Sequence, residues 1–234
     1  MADDAYIGAE LDLFAEAIEW KRYVRALIRP FVSGSVLEVG AGIGGTTQIL
    51  HDLTAGAWTC LEPDVRLLER LRAQLAPTLG DRLRTRVGDL RAVGDERFDT
   101  ILYMDVLEHI ADDRGELRRA HAHLAPGGRV VVVSPAHPFL YSPFDAAVGH
   151  HRRYTRASLV AAGPPELDLV ACFYADSVGL LASAMNRFLL RQSMPTRRQI
   201  LTWDRVLVRG SRVLDRPLRH KLGKSVVGVW RRGA

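Results

Sequence analysis

Cysteine is scarce in this chain: Cys60 and Cys172 are the only two in 234 residues, too few for a disulfide framework or a cysteine-rich metal site. Neither belongs to a C-x-x-C pair and both sit inside apolar runs, so two buried, reduced thiols are expected. Long apolar runs are also missing. No stretch of 18 or more apolar residues is free of charge, which excludes a membrane-spanning helix by sequence pattern. The opening MADDAYIGAE lacks the basic and apolar regions of a secretory signal, and a cytoplasmic protein is expected. Repeats and low-complexity tracts are absent. The length suits one α/β core with elaborations and is short for two.

Acidic residues are nearly missing from one end. Residues 187–234 carry 13 Lys and Arg against two acids, Asp204 and Asp215, for a net +11, while residues 1–186 carry 19 against 25, for a net −6. Such a tail could attract a phosphorylated substrate, a carrier protein or the surface of a membrane. The competing reading is an Arg-rich helical face on solvent, since these charges alternate with Leu and Val in a helical rhythm.

Residues 6–31 place apolar side chains at Leu11, Phe14, Ile18, Val24, Leu27 and Ile28, close to a 3.6-residue period that ends at Pro30, and predict one or two amphipathic helices. From Ser35 the pattern becomes short β-branched runs between helical stretches: SVLEVG, WTCLEP, LRTRVGD, FDTILYMD, GRVVVVSP and LDLVACFY. This alternation predicts a mostly parallel sheet. Residues 112–124 read as a helix stopping at a Pro126-Gly127-Gly128 turn. Residues 177–222 are again helical in period, with a break at Met194-Pro195, before a last strand in KSVVGVWRR.

The strongest local signal is VLEVGAGIGGTT, a buried strand entering a glycine-rich turn and a helix. Glycines there allow a tight turn and let a cofactor lie against the backbone. Read as G-x-G-x-x-G, Gly40, Gly42 and Gly45 also fit a nicotinamide site. Glu38 argues against that, because a carboxylate two residues before the first glycine repels a pyrophosphate and favours a methionyl ammonium, directly or through water. Glu62 ends the next strand, where an acid can accept both ribose hydroxyls. Asp89, after Gly88, can accept from an adenine amine with Leu90 packed on the ring, or be a simple turn residue.

In this order and spacing, VLEVGAGIGG, CLEPD, VGDL, FDTILYMDVLEHIADD and LAPGGRVVVVSP resemble the class I S-adenosylmethionine-dependent methyltransferases over about residues 35–135. The resemblance implies a Rossmann-like, seven-stranded, mostly parallel sheet with helices on both faces and an antiparallel last strand. It implies S-adenosylmethionine as cofactor, with its amino-acid part at Glu38, Gly40, Gly42 and Gly44, its ribose at Glu62 and its adenine at Asp89 and Leu90. Met104, Asp105 and Leu107 then fall near the sulfonium, and His109 on the following helix. The organisation expected is an N-terminal helical lid over 1–32, the cofactor-binding core over 33–176, a helical insertion or cap over 177–222 and the last core strand over 223–234.

Beyond that core, Gly149-His150-His151-Arg152-Arg153-Tyr154 resembles a G-H-x-R-R-Y segment of a bacterial subgroup associated with sugar, lipid-carrier and natural-product pathways. Loops past the carboxyl ends of strands border the ligand crevice, so this one is expected to meet an acceptor. His150, His151, His109 and Tyr154 are the candidate catalytic groups; Arg152, Arg153 and Tyr141 are candidates for holding a small, anionic acceptor. No metal is expected, because adjacent His150 and His151 diverge and no cysteine or third histidine is close in sequence. Nucleic acid is not expected, since Tyr103-Met104-Asp105-Val106 stands where base methylation would want Asn/Asp-Pro-Pro-Tyr. The function expected is O-methylation of a small molecule, with N- or C-methylation as alternatives. A nicotinamide-dependent oxidoreductase and a non-catalytic binding module are the other classes.

Overall fold

A computed structural model describes residues 11–190 and 195–233. Seven strands, β1 (Val36–Val39), β2 (Trp58–Glu62), β3 (Leu83–Val87), β4 (Phe98–Met104), β5 (Leu124–Pro135), β6 (Leu167–Ala175) and β7 (Ser225–Arg232), form one sheet in the order β3-β2-β1-β4-β5-β7-β6. Pairs from β3 through β5 are parallel, and β7 runs antiparallel to both of its neighbours. The expected sheet is therefore present, last strand included. Central β1 is buried along its whole length, which is why VLEV reads as an unbroken apolar run with one acid. The Pro126-Gly127-Gly128 segment differs from expectation: it lies inside β5, where the register against β4 shifts between Phe98 and Thr100.

The helices are α1 (Ile18–Ile28), α2 (Thr47–Leu50), α3 (Val65–Leu79), α4 (Asp113–Ala122), α5 (Pro143–Ala147), α6 (Arg156–Ala162), α7 (Ser177–Met185), α8 (Arg197–Thr202) and α9 (Val208–Leu214). Asp64 starts α3 by accepting from the amides of Arg66 and Leu67, and Leu68, Leu71, Leu75 and Leu79 form its buried stripe. Alternate sheet residues feed two cores: Val36 and Cys60 face α1 and α3, while Leu37 and Leu61 face the layer containing Leu117 and Leu159. Cys60 is buried as expected, but Cys172 is only half-buried.

Residues 11–15 are helical and the chain breaks before α1, so the N-terminal segment forms two helices; its predicted start at 6–10 lies outside the described residues. Lys21 Nζ bridges the break by donating to the carbonyls of Phe14 and Ala15 at 2.6 and 3.1 Å. Burial pushes this ammonium down to about 8, against the attraction of Asp204 and Asp105. Met194, half of the break predicted in the insertion, also lies outside the described residues.

Three buried aspartates tie the helical additions together. Asp204 accepts from the amides of Glu19 and Trp20 at 3.1 and 2.7 Å, capping α1 from 184 residues away. Asp176 accepts from Trp203 Nε1 and Ser211 Oγ, and Asp215 accepts from the Tyr23 hydroxyl and the amides of Asp176 and Ser177. Buried backbone amides of both additions thus depend on carboxylates rather than on sheet bonds.

Candidate functional site

The chain order reverses between β1 and β4, and the carboxyl ends of these two strands open into a cavity of about 470 Å³. Gly40, Ala41, Gly42 and Ile43 form one wall, Glu62 and Pro63 another, and Met104, Asp105, Glu108 and His109 a third. Leu11, Phe14, Trp20 and Lys21 from the N-terminal helices and Trp203 from the insertion close over it. Gly40 has φ +66°, and a Cβ there would stand 2.7 Å from Val106 Cγ2, so only glycine fits this corner. Gly44 serves differently from expectation. It does not border the cavity; its φ of +82° presses the turn onto Leu71 and Leu75 of α3, and Gly45 takes the cavity-facing place.

Glu62 lies on the cavity wall with its carboxylate held by the amides of Gly42 and Asp64 at 2.9 and 3.1 Å. Each oxygen accepts one of these bonds and keeps lone pairs for a ligand's hydroxyls. Asp89 and Leu90 do not border the cavity. The Asp89 carboxylate accepts from the Arg91 amide and pairs with its guanidinium at 2.6 Å, which pulls it down to about 2, and Leu90 is packed in the core. The turn role is the one the protein's own contacts give Asp89.

Glu38 is also absent from the cavity wall. It is buried beneath the glycine-rich turn, where Oε2 accepts from Thr47 Oγ1 at 2.7 Å and Trp58 Nε1 at 2.8 Å, pinning α2 and β2 to β1. Burial pushes its carboxyl up to about 7 against those two hydrogen bonds, from an ordinary 4.5. The folded state therefore keeps a proton that the unfolded chain releases. On this account stability is fullest below pH 4.5 and declines as pH rises to about 7. A Glu38→Gln variant, which has no charge to bury, is expected to gain on the wild type by about 3 kcal/mol between pH 4.5 and 8. Urea unfolding of both proteins across that range measures it, and parallel pH profiles would refute it.

Asp105 directly follows β4 in the left-handed region, φ +56°, a conformation uncommon for a side-chain-bearing residue, and opens onto the cavity. Surrounding protein pushes its carboxyl up, opposed by the charges of Lys224, His150 and Lys21. Leu107, also expected near the sulfonium, packs in the core instead, while Met104 borders the cavity.

The 149–154 loop divides residue by residue. His150 faces the cavity, with its ring nearly perpendicular to that of His109 at a centroid distance of 4.6 Å. Asp145 Oδ1 meets His150 Nδ1 at 2.8 Å. Arg153 also reaches the cavity and grips Asp145 with Nε and Nη2 at 2.8 and 3.0 Å. Burial pushes His109 down to about 4, helped by His150 and His151, and leaves it a neutral imidazole at physiological pH. His151 is exposed and outside the cavity wall, and its amide donates to the Glu108 carbonyl. Arg152 turns outward to Asp113 and the Ala111 carbonyl, both at 2.7 Å, and buried Tyr154 donates to the same Asp113. Tyr141 donates to the His150 carbonyl at 2.6 Å and shapes the loop without lining the cavity. These bonds hold Arg152, Tyr154 and Tyr141 away from the cavity wall, while His151 lies on the surface.

Asp145, Glu108, Lys21 and Lys224 are site residues that sequence reasoning did not assign. Glu108 stands inside the quoted FDTILYMDVLEHIADD segment beside His109, a signal that was present, whereas Asp145 lies four positions before Gly149 and outside the quoted segments. Lys224, which lines the cavity with its ammonium 3.6 Å from the Trp203 ring centre, comes from the start of β7 and has no local signature.

Residues 13–164 match a family described as "Methyltransferase domain". The chain is 31% identical over 125 residues to the demethylmenaquinone methyltransferase of Tropheryma whipplei (strain Twist), covering 53% of this chain and 52% of that one. It is 34% identical over 124 residues to the ubiquinone biosynthesis O-methyltransferase of Cereibacter sphaeroides, covering 52% and 49%. These matches span about half the length of the curated relatives. The fold is similar to that of geranyl diphosphate methyltransferase in complex with S-adenosylmethionine, with TM-score 0.67, 14% identity and coverage of 96% and 90%.

Proposed function

This chain belongs to the class I S-adenosylmethionine-dependent methyltransferases, and from that premise we propose that it methylates a hydroxyl oxygen of a small acceptor with an apolar body. One observation carries the reading: His109, His150, Glu108 and Asp105 converge on the cavity that the glycine-rich turn and Glu62 also line, and this cavity adjoins a second of about 520 Å³. Phe14, Phe144, Arg153, Trp203 and Lys224 border both, so an apolar acceptor can sit in the second cavity with a polar end at the histidines. One of the relatives is named as an O-methyltransferase of ubiquinone biosynthesis, which supports oxygen as the atom methylated.

The residues present fit the cofactor: Gly40 and Gly42 border the cavity without side chains of their own, and Glu62 retains acceptor capacity for ribose hydroxyls. When bound, S-adenosylmethionine supplies a sulfonium methyl that moves to the acceptor oxygen, the bonding pair staying on sulfur and the hydroxyl proton leaving. The chain's own part is chiefly positioning, which can supply ~7–11 kcal/mol of barrier reduction, against the hundred- to ten-thousand-fold of a general base. Lys21 and Trp20 of the N-terminal helices and Trp203 of the insertion exclude water as a lid over the site. The insertion also exposes Leu181, Met185, Phe188, Val206 and Val213 within and just before its arginine-rich segment, which supports acceptor delivery from a membrane surface or carrier. Among the described residues no helix is long and apolar enough to cross a membrane.

The test is methyl transfer from isotopically labelled S-adenosylmethionine to a panel of matched hydroxyl, amine and activated-carbon acceptors bearing apolar tails, with product mass spectrometry. Transfer to the hydroxyl series supports the proposal; transfer confined to amines or carbon refutes it. Cofactor affinity gives a second check. Glu62→Ala is expected to weaken S-adenosylmethionine binding by about tenfold to a hundredfold, since it removes the acceptor for the ribose and the anchor of the Gly42 amide. Asp89→Ala, whose carboxylate is half exposed and tied to Arg91, is expected to weaken it less. Calorimetric titration with equal losses, or none, would overturn that ranking.

A further inference from the structure

Inside the cavity, Glu108, His109 and His150 bring one donor atom each within 4.8 Å of one another, a trio separated by 40 residues of chain between its two histidines. No third histidine is close to His150 in sequence, but the fold brings His109 beside it in space. Three features of the trio point to an occupant. Glu108 is fully buried, and its Oε1 finds no hydrogen-bond partner among the described residues while Oε2 accepts from Ser134 at 2.8 Å. That bare oxygen lies 3.9 Å from His150 Nε2. Asp145 meets Nδ1 of the same ring, and Asp145 is itself held by Arg153 and Ser142, so the ring is oriented to turn Nε2 toward Glu108.

We propose that Glu108, His109 and His150 form a binding site for one divalent transition-metal cation, with the acceptor's hydroxyl oxygen completing its coordination. Two imidazoles and one carboxylate are a nitrogen-rich set that suits zinc, cobalt, nickel or ferrous iron better than magnesium or calcium. Bonds of about 2.0–2.2 Å require the donor atoms to draw closer than the 4.8 Å within which they lie, and His109, accessible from the cavity, can make that adjustment. The carboxylate on His150 Nδ1 is the arrangement that fixes the ring of a metal-bound histidine and raises its donor strength. Three protein ligands leave a position open to the cavity they line, as in catalytic rather than structural sites. The cation's role rests on the O-methylation reading; its binding does not. It would hold the acceptor oxygen and favour loss of its proton to solvent, so that the oxyanion attacks the methyl carbon as the carbon–sulfur bond breaks with its electron pair on sulfur.

The experiment uses tag-free protein stripped with chelator and titrated with Co²⁺, followed by visible absorption and by metal analysis after desalting. One Co²⁺ per chain is expected, with intense bands of four- or five-coordinate cobalt. In a His109→Ala/His150→Ala variant the affinity should fall at least a hundredfold while S-adenosylmethionine binding, measured in the same samples, stays within about threefold. His151→Ala, altering an exposed side chain outside the cavity, should bind cobalt like the wild type. Glu108→Gln keeps the shape of the buried side chain and should lose most of the affinity. The absence of stoichiometric cobalt in the wild type, or equal binding by the wild type and the double variant, overturns the site. Stoichiometric cobalt with no transfer to any hydroxyl acceptor would leave the site standing and reject the O-methylation reading.

Discussion

An Asp145→Ala variant is expected to lose about 3–5 kcal/mol of stability and at least a hundredfold in methyl transfer while binding S-adenosylmethionine nearly as well as the wild type. Asp145 is wholly buried and accepts from Ser142 twice, from Arg153 twice and pairs with His150. Its carboxyl is held well below the ordinary range, burial notwithstanding, by His150 and Arg153, so the ionised form is the one the fold is built on. Removing one partner of a buried pair leaves the other charge without compensation, which is the large term. For a chain of this length the loss corresponds to a melting temperature lower by roughly 10 °C. Activity falls separately, because His150 and Arg153 both face the cavity through their bonds to this one carboxylate, and misplacing reacting groups by an ångström is enough for a hundredfold. Thermal unfolding, cofactor titration and turnover on one preparation test all three. Asp145→Asn, which keeps the shape and the Ser142 contacts, should recover part of the stability and little of the rate. Equal recovery of both would show that the charge is unimportant.

Asp215→Ala is expected to be as destabilising, by about 3–5 kcal/mol, with a different signature. Asp215 is fully buried near the end of the insertion, and it joins Tyr23 of α1 at 2.7 Å to the backbone start of α7. Its loss orphans a phenol and two amides at once, each group costing about 1–3 kcal/mol when left unpaired. The Tyr23 hydroxyl is held above its ordinary range by burial and by this carboxylate, so it cannot replace the missing charge by ionising. Both additions should loosen together, with hydrogen exchange accelerating in α1 and in residues 177–185 and the sheet unaffected. Since α1 lines the cavity through Trp20, Lys21 and Val24, cofactor affinity should fall as well. Exchange confined to the insertion would show that the N-terminal helices are held by their apolar packing alone.

Much of the fold was legible because strands and helices announce themselves by local period. The run VLEV, the leucine stripe of α3 and the seven β-branched segments are each readable within about fifteen residues, and the glycine-rich turn needs backbone angles that only glycine accepts easily. Those signals also predicted a mostly parallel sheet and a last strand from KSVVGVWRR, while the strand order came only with the structure.

The division of labour in the 149–154 loop was not legible, because side-chain direction in irregular backbone is decided by partners far along the chain. His150 and His151 are neighbours of one type, yet Asp145 turns the first into the cavity while the second faces solvent. Arg152 and Arg153 part in the same way, one toward Asp113 and the other toward Asp145. Glu38 shows the complementary limit: its place two residues before Gly40 could be read, but whether its carboxylate met a ligand or Trp58 depended on which face of β1 the indole covers. By itself the sequence determined the sheet, the cofactor turn and the acid at the end of β2. Only the tertiary structure decided which titratable groups meet, since desolvation and pairing act through space between residues such as His109 and His150, or Tyr23 and Asp215, that chain order keeps far apart.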